Sequence, residues 1–234
     1  VRIALSLAAF ALPAFTGHAG AQNLPDKQAA AYMWSPAIQQ TLLGLGQSLD
    51  KSVLGVSEPC TGPYRLEPVS FAILEPFEFA PGAPHPAKGI WTLRYRFERC
   101  GGTVVYNAIF TANRGGVPSV FPTPPGTTRA STQLMKDVTP GLAIAAGLRN
   151  GEMKDCKMLI VTDTRVSREP HALQAGGQTL GGVWEESWSL KTCAGPFTLD
   201  FCFVPEPTGG VTFTQSKCEP TQIATARSLY RKTP

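Results

Sequence analysis

The residues of this 234-residue chain that could do chemistry are its six cysteines, its three histidines, its scattered carboxylates and a group of arginines. The cysteines stand at Cys60, Cys100, Cys156, Cys193, Cys202 and Cys218 with no C-x2-C pair to suggest zinc. An even count of this kind in an exported chain reads as a disulfide framework rather than as a metal site or a catalytic thiol. His85 and His171 each sit beside proline in what reads as loop sequence, a setting in which an imidazole is usually only solvated. No G-x-S-x-G, H-E-x-x-H or G-x-x-x-x-G-K is present. Gly176-Gly177 and Gly181-Gly182 read as a flexible loop with no following lysine and helix, so they make no phosphate cradle. Neither a cofactor nor a metal is expected.

One carboxylate breaks its local pattern. In Trp184-Glu185-Glu186-Ser187-Trp188 the two-residue period of a strand puts Glu186 on the same face as Trp184, Trp188 and Leu190. A carboxylate on an apolar face must find a partner or shift its ionisation, and such violations cluster at functional sites. The structural alternative is a sheet-edge carboxylate that reaches solvent or pairs with an arginine such as Arg165. Arg94, Arg96 and, beyond them, Arg99 form a second candidate set, because alternation turns Tyr95 and Phe97 inward and leaves arginines outside. Such a face is either merely solvated or reads an acidic protein surface or an anionic envelope polymer.

These residues are carried by a pattern that occurs twice. Trp91 to Phe110 lies over Trp184 to Phe203 without a gap, Cys100 falling on Cys193, and each copy then reaches Gly-Gly-Val, at 115–117 and 209–211. Upstream, Cys60 and Cys156 precede those cysteines, with Glu75-Pro76 and Glu169-Pro170 between. Period-two alternation marks strands from Trp91, from Val104 and from Phe197. Further strand-type runs follow the first cysteine of each copy, around Arg65–Leu74 and Met158–Val166. Helical spacing of apolar residues marks Pro36 to Val53 and, interrupted by Pro140, Thr132 to Leu148. If each copy inherited one bond, the pairs are Cys60–Cys100 and Cys156–Cys193, with Cys202–Cys218 added to the second copy.

The expected fold is therefore α+β, two tandem repeats of one helix on a four-stranded antiparallel sheet, stapled by disulfides. The element order resembles the cystatin-like class and the tandem-domain β-lactamase inhibitor proteins, in order and duplication alone. No motif residue matches those families, so no residue role transfers from them. The expected divisions are a signal peptide over 1–21 closing with Ala19-Gly20-Ala21, a lead-in over 22–35, unit 1 over 36–117, a Pro-rich linker over 118–131, unit 2 over 132–218 and a basic tail over 219–234.

With 21 Lys+Arg against 17 Asp+Glu, 16% charged and 43% hydrophobic residues, the composition excludes coiled coil, collagen and bulk disorder, and its net charge of +4 is too mild to imply nucleic acid. No membrane span is expected after the leader. The reading is of an exported bacterial-type binding protein of the periplasm or extracellular space, non-catalytic, using a sheet face or the cleft between repeats. Its candidate binding residues are Glu186, Trp184, Trp188, Arg94, Arg96 and Arg99. The alternative is a secreted hydrolase using Glu186 with Glu185 or Asp200. Glu185 and Glu186 point to opposite faces of one strand and cannot act on each other's substrate atom.

Overall fold

The computed structural model describes residues 27–56, 60–150, 158–207, 209–221 and 223. The signal-peptide reading at 1–21, the cysteine at 156 and most of the basic tail lie outside them. Within the described residues the chain runs α1 (Lys27–Met33), α2 (Pro36–Ser52), β1 (Arg65–Glu78), β2 (Lys88–Arg99), β3 (Gly102–Asn113), β4 (Gly116–Thr123), α3 (Thr132–Asn150), β5 (Leu159–Ala175), β6 (Gln178–Thr192), β7 (Gly195–Pro205) and β8 (Val211–Thr214). The strands form two four-stranded sheets, ordered β1-β2-β3-β4 and β5-β6-β7-β8, antiparallel throughout. α3 lies between them in sequence, and the fold is α+β.

Each sheet buries one face under a helix because its inward positions are apolar at period two. Proline opens α2, where its missing N–H costs nothing. The Ile38, Leu42 and Leu49 stripe of that helix meets Trp91, Leu93, Tyr95, Phe97, Tyr106 and Phe110. Gly46 is needed there, since a Cβ would lie 2.6 Å from the Phe97 ring. Tyr95 Oη donates to the Leu42 carbonyl at 3.1 Å and so satisfies its buried hydroxyl. In the second half Leu134, Val138 and Leu142 of α3 pack on Trp184, Trp188, Leu190, Phe201 and Phe203. Pro140 lies inside α3 without ending it.

The two central hairpins share one register. Trp91 pairs with Phe110 and Arg99 with Gly102 in the first; Trp184 pairs with Phe203 and Thr192 with Gly195 in the second. Each indole also stacks on its cross-strand phenyl, with centroids 5.2 Å apart in the first half and 4.9 Å in the second. Two disulfides fall where expected. Cys60–Cys100 ties the segment before β1 to the β2–β3 turn, and Cys202–Cys218 ties β7 to the segment after β8. Cys193 is also disulfide-bonded, while its expected partner, the cysteine at 156, is outside the described residues.

Several boundaries differ from the sequence expectation, and prolines on edge strands account for most of them. An edge strand needs its ladder bonds on one side only, so a proline there does not end it. β5 therefore continues through Pro170 to Ala175, with its turn at Gly176-Gly177. This places His171 in a strand opposite Val183 rather than in a loop, and puts Gly181-Gly182 inside β6 rather than in a flexible loop. β1 likewise passes Pro76, and β4 passes Pro118 and Pro122, so the segment expected to be linker from 118 is strand up to Thr123. The lead-in is not merely a leader to the first helix: α1 occupies part of it, with Met33 buried and Tyr32 edge-on to Phe77 and Trp91. Past residue 218, Ile223 is buried with Leu180, Val183 and Val204 beside the Cys202–Cys218 bridge.

Candidate binding cleft

Glu186 is 0% exposed, on the helix-facing side of β6 opposite Phe201. Its Oε1 accepts from Trp184 Nε1 at 2.9 Å and from the Arg129 backbone N–H at 2.8 Å, and its Oε2 accepts from Trp188 Nε1 at 2.7 Å. The flanking indoles, expected only to be neighbours on an apolar face, are its hydrogen-bond donors. The carboxylate neither reaches solvent nor pairs with Arg165, which corrects the structural alternative: three N–H groups compensate its desolvation instead of a cation in contact.

The Arg129 N–H belongs to a segment that leads into α3 and is bound on both sides. Gly126 N donates to Val105 O at 2.8 Å, and Asn107 Nδ2 donates to the carbonyls of Pro124 and Gly126 at 2.7 and 3.0 Å. On the other side Thr127 N donates to Thr164 O, and Thr164 Oγ1 to Pro125 O, both at 2.6 Å. Asn107 is on the face of β3 away from α2, while Thr164 is on the edge strand β5, so residues 124–130 join the two sheets. Gly126 has φ +100°, and a Cβ on it would overlap the Thr164 backbone. Ser131 then caps α3, accepting from Leu134 N at 3.2 Å.

The three candidate arginines do not form one stripe. Arg94 is half-buried; its Nε donates to Asn107 Oδ1 at 2.7 Å and its Nη2 to Thr128 O at 2.5 Å. Burial lowers its pKa, the Glu186 charge opposes that shift and the Arg129 charge adds to it. Arg96 is exposed and ion-paired with Glu67 at 2.6 Å. Arg99 turns to the opposite face, where its Nε meets Asp50 Oδ2 of α2 at 2.7 Å, and Tyr106 Oη donates to Asp50 Oδ1 at 2.6 Å. The alternation that sends Phe97 inward sends Arg99 inward as well.

Between the outer face of β1–β3 and residues 128–135 lies a cleft of about 470 Å³. Ser70, Thr92, Arg94 and Asn107 line it from the sheet, and Thr128, Arg129, Thr132, Gln133 and Met135 from the other side. Among the described residues no carboxylate, imidazole or thiol lines it. The carboxylates considered for hydrolysis are dispersed. Glu185 is on the opposite face from Glu186, 3.6 Å from Arg168 Nη1, and Asp200 accepts from Ser187 Oγ at 2.5 Å. Among the described residues no group of three or more His, Cys, Asp and Glu is placed to hold a metal. Asn107, Thr128 and Arg129 were not singled out by sequence, since they come from segments far apart in the chain. The one signal was Arg94 itself, for which the other half has Ser187.

No protein-family model, curated protein or solved structure matches this chain. Its fold and cleft define an α+β protein with two helix-covered antiparallel sheets joined by an ordered segment. Among the described residues no helix is long and apolar enough to cross a membrane.

Proposed function

We propose that the chain is a non-catalytic binding protein of the periplasm or extracellular space, which holds a ligand in the cleft between the first sheet and the start of α3. The observation that carries this reading is the cleft's lining: hydroxyls, amides and guanidinium groups set among apolar side chains such as Leu74 and Met135, with no carboxylate, imidazole or thiol among the described residues to serve as nucleophile or general base at neutral pH. Two disulfides at bonding distance suit an oxidising compartment. The two halves are read as copies of one ancestral module with cystatin-like element order; the shared hairpin register and the paired Trp–Phe stacks support that descent.

The test is an amide NMR titration of the oxidised protein with envelope saccharides and their acidic fragments, followed by product analysis of the same mixtures. Shifts confined to residues 92–94 and 128–135 with unaltered ligand are expected. Steady conversion of any of these ligands would replace the binding reading with the hydrolase.

A further inference from the structure

We infer that the cleft selects an anionic oxygen group, a carboxylate or phosphate carried on a hydroxylated molecule, and that Arg94 is the residue that reads it. This rests on the cleft being the binding site. The Arg94 guanidinium is partly withdrawn from water, yet its two protein partners, Asn107 Oδ1 and Thr128 O, are neutral. Among the described residues no carboxylate lies within 4.0 Å of it. The nearby carboxylate whose charge it feels, Glu186, has both oxygens engaged by N–H donors. A desolvated cation without a contacting anion is an unbalanced charge, and an incoming oxyanion would balance it.

The geometry suits that role. A guanidinium carries more donors than the two already used, and the two bonds fix its plane, so little side-chain freedom remains to be lost on binding. Arg129, on the opposite wall of the cleft, adds a second positive charge, although its Nη1 is shared with Glu169 at 3.1 Å. The hydroxyls of Ser70, Thr92 and Thr132 line the same cleft and, among the described residues, make no protein hydrogen bond, which leaves them for a polyhydroxylated ligand. The competing account is that Arg94 only clamps Thr128 in place.

The experiment titrates the full oxidised chain, at constant ionic strength, with sodium glucuronate, inorganic phosphate and glucose, reading amide shifts at residues 92–94 and 128–135. At least one anion is expected to bind about tenfold more tightly than glucose, and whether glucuronate or phosphate does so identifies the charged group. Arg94→Gln should weaken that binding about tenfold or more, while Arg96→Gln, outside the cleft, leaves it unchanged. Equal anion affinity in a folded Arg94→Gln protein overturns the inference. If that variant unfolds, added sodium chloride decides with the unaltered protein: binding that weakens supports the inference, and binding that does not overturns it. Glucose shifting the cleft amides as strongly as either anion removes the charge selection but leaves the binding reading intact. Silence from both anions removes the selection as well, and the binding reading then stands or falls on the wider saccharide titration.

Discussion

A carboxylate held by three N–H groups stabilises its surroundings only while every donor remains aimed at it. Glu186→Leu removes the acceptor and leaves Trp184 Nε1, Trp188 Nε1 and the Arg129 N–H without a partner, so a loss of about 3 kcal/mol or more is expected in urea unfolding. Asp50 is the counterpart in the first half, 5% exposed between Arg99 and Tyr106. Asp50→Ala leaves a partly buried guanidinium and the Tyr106 hydroxyl without their acceptor and should cost about 2 kcal/mol or more, whereas a midpoint within error of the parent would show that water takes the carboxylate's place. At this scale the sequence gives directions but not partners. Strand alternation shows which way Glu186 points. It does not show that the next indoles on the same face curl back to donate to it, because that depends on side-chain torsions and on a backbone N–H 57 residues away.

The elements themselves were largely legible, since helical and two-residue periods are local properties. Both long helices begin where their apolar stripes begin, at Pro36 and Thr132. Strand ends were less legible because a proline has opposite meanings in a central strand and at an edge, and which strands are edges is a property of the assembled sheet. Pro170 in β5 and Pro122 in β4 are such cases. The joining segment was the least legible. Its prolines and glycine resemble a free linker, yet Pro125, Gly126 and Thr128 are buried. Gly126→Ala tests that packing: a side chain at φ +100° facing the Thr164 backbone should cost about 2 kcal/mol or more. It should also move the amides of residues 124–130 and 164. A silent substitution would mean that the segment is only loosely held.

Among the described residues, stability rests on three apolar clusters, one under each long helix and a smaller one around the Cys202–Cys218 bridge, and on covalent closure. The Cys60–Cys100 and Cys202–Cys218 bridges close chain separations of 40 and 16 residues, which in the chain-entropy account contribute about 4 and about 3 kcal/mol. Reduction should therefore lower the melting temperature, and the Cys60–Cys100 pair should matter more than Cys202–Cys218 when each is replaced by alanine. Burial raises the pKa of Tyr32 to about 12, and Tyr95 and Tyr106 are raised further, by burial first and by Asp50 second. The folded chain thus keeps three phenolic protons that an unfolded chain gives up near pH ~10. Their contribution is complete below that pH and is lost as pH rises toward 12 and beyond. Absorbance at the tyrosinate band should rise together with the collapse of near-ultraviolet circular dichroism. Reversible ionisation of all five tyrosines near pH ~10 in a folded protein would contradict this.

The wall formed by residues 128–135 is anchored at Thr164 and Glu186, which leave the ribosome after every strand of the first sheet. During synthesis the first half thus emerges before one wall of its cleft has all its hydrogen-bond partners. Thr128 O can already meet Arg94, but the N–H groups of Thr128 and Arg129 find their acceptors only once β5 and β6 are in place.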